Sequence, residues 1–464
     1  MRISEAELAP ESNTTNPIPD NESHGSVLQQ GVLWAGLNIN VFNVVLGGVL
    51  IIIGLTFWQS VIAILVGTAV GAALIALHAT QGPRLRVPQM IQSRGQFGFY
   101  GASFLFLATL VLNFGFTAAI LVIQAQAMNI VAPALSVPAW IAIMVVPMVL
   151  IGVWGYRQIH RVAQLTVIVV GITLVVMFVQ AIRFGPLPRA EAGLHAPSAG
   201  LFLAGVALLV VDLLSYGPFV SDYSRYLPRT TSGGKLFGAI WVGNVVSTAA
   251  ACVLGAYITA LLPNLSTVGA IGRISGSAVL VIMALSLVNP VNAYTGGFQL
   301  LALAQTFRRW RDARPSWAAR FSSFLAVTVA GTVAALLGYQ SFVTNLSNFL
   351  DVLLMLFIPW SAVNLTDFFL VRHGNYDVDA FQTPGGVYGN VAWRGMTAYL
   401  AGLVAEVPFV SQTYYTGPLV RHLGGADISW IVGFVVAGGL YYTLSKARKR
   451  AVPEVVPVVA VETP

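Results

Sequence analysis

The sequence is poor in charged residues, which occupy 9% of its 464 positions, whereas 56% of the positions are hydrophobic. A soluble domain carries roughly 25% charged residues, so this chain could not cover a surface exposed to water. The mean hydropathy of +0.78 points the same way. The shortage of charge excludes a soluble globular protein and indicates a membrane protein.

Cysteine is almost absent as well. Cys252 is the only cysteine and lies inside an apolar segment, which excludes a disulfide or a cysteine metal site within one chain. No HExxH motif or polar triad occurs in an apolar segment. The six histidines, all interpreted as lying in tails or near loops, are His24, His78, His160, His195, His373 and His422. The protein is therefore predicted not to be an enzyme and to need no metal or other cofactor.

Apolar stretches long enough to span a bilayer, about 20 residues each, recur along the chain. Residues 1–28 lack the basic start of a signal peptide and are predicted to form a disordered cytoplasmic tail. Residues 29–450 are predicted to be one transmembrane domain, and 451–464 a second cytoplasmic tail. The twelve apolar windows fall near 33–55, 58–79, 99–130, 138–155, 162–183, 202–226, 236–261, 276–306, 318–339, 346–370, 396–414 and 428–445.

The positive charges support this count. With both termini in the cytoplasm, 20 of the 24 Lys and Arg residues fall on the inner side, as the positive-inside rule requires. The four on the outer side are Arg183, Arg189, Arg273 and Arg421. Membrane topology thus explains the net charge of +7, and we expect lipids rather than nucleic acid around the protein.

Two of the predicted spans contain polar residues beside Gly or Pro at mid-span. Helix 1 has Asn38, Asn40 and Asn43 before a Gly pair, and helix 6 runs from Asp212 through Ser-Tyr-Gly-Pro to Asp222. Such segments are tolerated where a helix unwinds to line a cavity. Breaks five helices apart predict an inverted repeat with a binding site at the midplane. The alternative is a pair of kinks that serve only packing.

Four motifs occur in order along these helices. They are Gly82-Pro83-Arg84 with Gln89-Met90 and Ser93-Arg94-x-x-Phe97-Gly98-x-x-Gly101; Asp222-Tyr223-Ser224-Arg225-Tyr226-Leu227-Pro228; Asn289-Pro290-Val-Asn292-Ala-Tyr294; and Pro359-Trp360-x-x-Val-Asn364-Leu-x-Asp367-Phe368. Together they resemble the nucleobase–cation symporter-1 family, within it the purine–cytosine permease branch. The resemblance implies an all-α membrane protein with the leucine-transporter fold. Its two inverted repeats would span about 33–183 and 202–370, with two peripheral helices at about 396–445.

A nucleobase has flat faces that stack on aromatic rings and an edge that amide side chains can bind. Phe116 falls where the family usually has a stacking tryptophan. Tyr216, beside Gly217 at the helix 6 break, falls where a second aromatic platform is expected. We predict that these two rings sandwich the substrate, with ordinary packing as the alternative for Phe116.

Amide side chains are the predicted readers of the substrate edge. The candidates are Asn289 and Asn292, which match the family motif, then Asn40 and Asn43, and more weakly Gln124 and Gln126. The alternative for the asparagines is capping of the unwound segment or bridging between helices. Many family members carry Asn or Gln where this chain has Ile120, so the resemblance does not define a plain purine or cytosine specificity.

The coupling ion is predicted to be a proton. Sodium in this fold is held by oxygens of helices 1 and 8, and helix 8 offers at most the Ser286 hydroxyl here. Asp212 lies within helix 6, and a carboxylate inside a span is a functional candidate by default. It is the predicted proton carrier, with a structural hydrogen bond as the alternative. Glu406 and Asp351 rank lower.

Charged residues at the cytoplasmic ends, namely Arg94, Asp222 and Arg225, are predicted to form gate or scaffold ion pairs. The leading prediction is a monomeric inner-membrane symporter. It would import a nucleobase or related planar heterocycle, such as cytosine, a purine, a hydantoin, allantoin or a vitamin pyrimidine. Sodium coupling, a different solute such as an amino acid, and a channel remain as alternatives.

Overall fold

The computed structural model describes residues 17–153, 156–189, 199–286, 289–307 and 317–449, and these form helices joined by turns and loops. The first part contains α1 Val27–Asn38, α2 Val41–Ile52, α3 Phe57–Ala79, α4 Gly82–Leu85, α5 Gln89–Gln92, α6 Arg94–Phe97, α7 Ser103–Val131, α8 Val137–Val153 and α9 Tyr156–Phe184. The second contains α10 Ala199–Leu214, α11 Val220–Ser224, α12 Gly233–Leu261, α13 Thr267–Ser286, α14 Asn289–Phe307, α15 Trp317–Gly338, α16 Phe342–Leu365, α17 Trp393–Glu406 and α18 Ser429–Lys449.

Each of the twelve predicted windows overlaps at least one of these helices. By length and apolar content alone, seven continuous helical stretches of the described chain could cross a membrane, or eight if the bent α1–α2 pair is one span. One of these stretches, 318–371, contains both α15 and α16. The window predicted at 276–306 begins at a kink inside α13, where Gly276 has φ 81°.

Both predicted breaks are present. The axes of α1 and α2 differ by 58° across residues 39–40, where Ile39 leaves the helical conformation. Helix α10 ends at Leu214, and a 3-10 turn, Gly217–Phe219, separates it from α11. Pro218 lacks the backbone N–H that a continuing α-helix would use, which explains the interruption.

Small residues allow the broken helices to approach their neighbours closely. Gly47 of α2 lies against the backbone oxygen of Cys252 in α12, and Gly255 lies against that of Val44. Gly67 of α3 packs in the same way against α10. Such contacts are typical of helix packing in membranes, and they join α2, α3, α10 and α12 into one packed unit around the breaks.

Candidate substrate and cation site

The break between α1 and α2 is held by three asparagines. Asn40 caps α2, since its Oδ1 accepts from the Asn43 backbone N–H (2.8 Å) and its Nδ2 donates to the Leu37 carbonyl (2.9 Å). Asn43 Nδ2 donates to the Asn38 carbonyl (2.9 Å). Asn40 and Asn43 thus support the unwound backbone, and whether they also contact substrate stays a prediction.

The break after α10 lies beside the first one. The Tyr216 ring meets that of Trp34 in α1 edge-on, with centroids 5.6 Å apart, and Gly217 packs against the Trp360 ring. One turn before Tyr216, the Asp212 side chain is 3% exposed. Its Oδ2 has no hydrogen-bond partner among the described residues.

The predicted stacking residue Phe116 lies in an aromatic cluster formed by three helices. Its ring meets those of Phe42 in α2 and Phe349 in α16 edge-on, at 5.4 Å in both cases. Ile120, one turn later, is buried. Phe116 and Tyr216 pack in different clusters of the described residues, so the sandwich between them stays a prediction.

The remaining predicted ligands lie on α7, α13 and α14. Gln124 is buried and donates to the Ala284 carbonyl across the α7–α13 contact (2.7 Å). The Ser286 hydroxyl donates to the Met283 carbonyl of its own helix (3.4 Å). Asn292 is half-buried, and the side chain of Asn289 lies outside the described residues.

Gln126 lines a cavity of about 350 Å³ between α2, the start of α13 and the segment 339–344. Its walls include Val45 and Val49 of α2 and Thr267 of α13. Val45 and Val49 lie within α2, the helix that follows the helix 1 break.

The three residues predicted as gate or scaffold have well-defined contacts. Asp222 Oδ1 accepts from the Gln89 backbone N–H (3.1 Å), and the Arg225 guanidinium lies over the Tyr226 ring at 5.2 Å. Arg94 donates to the Phe381 carbonyl and the Gln382 side chain, both at 2.9 Å. Their role as gate or scaffold stays a prediction.

A buried polar network was not anticipated from the sequence. His78, interpreted as a residue near a loop, is fully buried in α3, and its ring stacks on Trp360 of α16 at 4.6 Å and 4°. The His78 ring also bonds to Ser361 (2.9 Å) and to Gln89 (3.3 Å). Ser221 of α11 in turn donates to Gln89 (2.5 Å). The network therefore links the second break to α3 and α16.

The same network continues to Asp367, which is 0% exposed. The connection runs from Gln89 by hydrogen bonds through Gln81, Asn364 and Gln96. Its carboxylate accepts from Tyr376 (2.6 Å), Tyr441 (2.8 Å) and Gln96 (2.9 Å), and Arg372 pairs with it at 3.2 Å. Burial and the neighbouring carboxylate raise the pKa of the Tyr376 hydroxyl well above its usual range, so this hydroxyl stays protonated and remains a donor.

Further polar groups lie in the helices. Asn113 of α7 donates to Gln299 of α14 (2.9 Å), a buried pair that the sequence interpretation missed. Glu406 of α17 is 0% exposed and lies against Gly433 of α18. Neither carboxylate oxygen of Glu406 has a hydrogen-bond partner in the described part of the chain. Asp351 is half-buried in α16.

Apolar helices, two interrupted spans and polar side chains gathered at the interruptions define a multi-pass membrane transporter. A family model described as "Permease for cytosine/purines, uracil, thiamine, allantoin" matches residues 17–433. The chain belongs to this family, the nucleobase–cation symporter-1 transporters. Because the family consists of permeases, the prediction that the protein is not an enzyme is confirmed.

Individual relatives point to the same family. The putative purine-cytosine permease YxlA of Bacillus subtilis is 34% identical over 455 residues, covering 95% of this chain and 97% of the relative. The purine-cytosine permease fcyB of Emericella nidulans is 24% identical, with 95% and 89% covered.

The fold is also that of solved transporters. The inward-facing conformation of Mhp1 superposes with a TM-score of 0.75 at 18% identity, covering 96% of this chain and 95% of that one. Mhp1 in a closed conformation with bromovinylhydantoin bound gives 0.70 at 16% identity, with 96% and 97% covered. The predicted leucine-transporter fold is thereby confirmed.

Proposed function

We propose that the protein is a secondary active symporter that imports a nucleobase or a related planar heterocycle by alternating access, with a proton as the coupling ion. It would act as a monomer in the cell inner membrane, with both termini in the cytoplasm. The observation that carries the proposal is the meeting of two helix breaks beside a buried carboxylic acid whose Oδ2 has no partner in the described chain.

The relatives support the class of substrate. Two of them are named purine-cytosine permeases, and Mhp1 was solved with a hydantoin bound. All of these solutes are flat rings with polar edges. In this chain Phe116 would supply the stacking face from α7 and Tyr216 would supply one from the helix 6 break.

The polar edge of the ring needs donors and acceptors together, which amides provide. Asn292 and Asn289 on α14 are the proposed readers, and Gln124 on α7 is a further candidate. Ile120 offers no hydrogen bond, so the substrate should present an apolar or sterically fitting edge to that side of the pocket.

Asp212 is the proposed proton carrier. Its burial makes a permanently charged carboxylate costly, and the structure gives its Oδ2 no donor within the described residues. The Ser286 hydroxyl donates to a carbonyl of its own helix, and sodium held by oxygens of helices 1 and 8 stays the alternative.

A ligand screen tests the substrate class. Thermal unfolding of the purified full-length protein would be followed against a panel of nucleobases, hydantoins, allantoin and vitamin pyrimidines, with amino acids as the control set. We expect at least one heterocycle, and no amino acid, to raise the unfolding temperature. Stabilisation by amino acids alone would contradict the proposal.

A further inference from the structure

Four buried oxygen atoms around the helix 1 break lack partners among the described residues. They are Asn38 Oδ1, Asn43 Oδ1, Asp212 Oδ2 and Thr248 Oγ1. The four residues are each no more than 3% exposed, and buried polar atoms are normally hydrogen-bonded. Four such atoms, one each on α1, α2, α10 and α12, therefore require an explanation.

Contacts on either side place Asp212 opposite the break. Gly205 of α10 lies against Leu50, with 3.6 Å between the position of an added Cβ and Leu50 Cδ2, and Tyr216 meets Trp34 at 5.6 Å. These two contacts show that α10 runs antiparallel to the α1–α2 pair. Asp212 follows Gly205 by seven residues, or about 10 Å of helix. Asn43 lies seven residues before Leu50, which is the same distance along its own helix.

Contacts one turn before and one turn after Thr248 define which way it faces on α12. Asn244, one turn before it, bonds to the Asn38 side chain (2.7 Å). Cys252, one turn after it, lies against Gly47 of α2. Thr248 therefore faces the segment between residues 38 and 47, which includes the helix 1 break and Asn43.

The amide orientations follow from their partners. Asn38 Nδ2 donates to the Trp34 carbonyl (2.9 Å) and to Asn244 Oδ1, both of which are acceptors. Asn43 Nδ2 donates to a carbonyl as well. In each amide the nitrogen is thus engaged in at least one hydrogen bond as a donor, and the oxygen is the atom without a partner among the described residues.

A carboxylate oxygen, two amide oxygens and a hydroxyl that all lack partners among the described residues offer more acceptor than donor sites, which suits a cation better than an anion. Oxygen ligands from carboxylate, amide and hydroxyl groups are those that hard cations prefer. A proton carried by Asp212 would serve the same purpose, because its O–H needs an acceptor beside it.

We propose that Asn38, Asn43, Asp212 and Thr248 form a cation site between the helix 1 break, α10 and α12, and that this site holds the coupling cation as a proton on Asp212 or as Na⁺. The site differs from the helix 1–helix 8 sodium site that the family resemblance implies. It gives Asn43 a role in binding the ion instead of the substrate. The inference rests on the proposed cation-coupled transport, but not on which cation is used.

The test follows thermal unfolding of the purified full-length protein without substrate. NaCl is titrated against choline chloride at constant pH, and pH is varied in choline chloride without sodium. Wild type should be stabilised by one cation, and the titration that shows the effect identifies it. Thr248→Val should shift the midpoint by about tenfold in concentration, or about one pH unit, as expected for losing one polar contact.

Two variants serve as controls for Thr248→Val. Thr248→Ser keeps the hydroxyl and should retain the wild-type midpoint. Thr259→Val removes a hydroxyl of the same helix that is paired with Thr267 (3.1 Å), and it should also leave the midpoint unchanged. Should Thr248→Val not purify, Thr248→Ala removes the same hydroxyl without a bulkier replacement.

Equal midpoints for wild type and the variants without the Thr248 hydroxyl would overturn the site, as would a wild type that responds to neither cation. Failure of the proposed function looks different. In that case the cation still binds with its dependence on Thr248, but reconstituted protein accumulates no heterocycle under any ion gradient.

Discussion

Asp212 and Asp367 are both carboxylic acids enclosed by helices, and their surroundings are opposite. Asp367 is surrounded by donors from Gln96, Tyr376 and Tyr441 and by an ion pair with Arg372. Asp212 Oδ2 has no partner within the described chain. A carboxylate whose oxygens are hydrogen-bonded holds structural elements together. A carboxylate with an oxygen that lacks a partner is available to bind and release a cation.

Asp212→Asn gives the largest expected effect. The amide keeps the size of the side chain but cannot carry a proton, so accumulation driven by a pH gradient should fall at least about a hundredfold, the scale of a lost essential group. Exchange of labelled for unlabelled substrate should persist. Uptake by proteoliposomes measures both, and unchanged accumulation would remove Asp212 from the coupling mechanism.

Asp367→Asn should have the opposite effect, a loss of stability with little change in transport. Removing the charge leaves Arg372 without its partner and disturbs three hydrogen bonds, which should lower the free energy of unfolding by about 3 kcal/mol. The KM for substrate should change little once folded protein is selected. Unfolding in detergent and uptake kinetics separate the two effects, and a variant of wild-type stability would show that the Asp367 network is not structural.

Phe116→Ala should raise KM roughly tenfold, because stacking of a base on an aromatic ring contributes about 1–3 kcal/mol. Phe116→Trp should keep KM near that of the native protein, since a flat ring remains. Leu107, an exposed residue on the same helix, provides the control through Leu107→Ala. If alanine and tryptophan behave alike at position 116, the ring does not stack on substrate.

Tyr441→Phe is the mildest change. It deletes one of the four hydrogen bonds to the Asp367 carboxylate and should lower the free energy of unfolding by about 1 kcal/mol. Transport should be unaffected. A loss as large as that of Asp367→Asn would mean that Tyr441 alone accounts for the stability of the network.

The breaks could be predicted from the sequence because their signals are local. Asn40 lies three residues before Asn43, the spacing of a helix cap, and Pro218 directly interrupts a helix. The membrane class and the family were likewise readable from composition and from motifs that are continuous in sequence.

The partners of these residues carried no local signal. Asn38 and Asn244 are 206 positions apart, and nothing near Thr248 distinguishes it from other threonines in apolar helices. His78 was placed near a loop because it ends an apolar window, yet helix packing buries it against Trp360. Contacts of this kind depend on which helix faces lie together, and a single sequence does not specify that.

The central claim is that uptake of a heterocycle carries a cation through Asp212. The most direct measurement is the internal pH of proteoliposomes, reported by a trapped dye, when a heterocycle selected in the ligand screen is added outside without sodium. Acidification that depends on the substrate is expected in wild-type vesicles, and none is expected with Asp212→Asn. Uptake that requires sodium and leaves the internal pH unchanged in wild-type vesicles would contradict proton coupling.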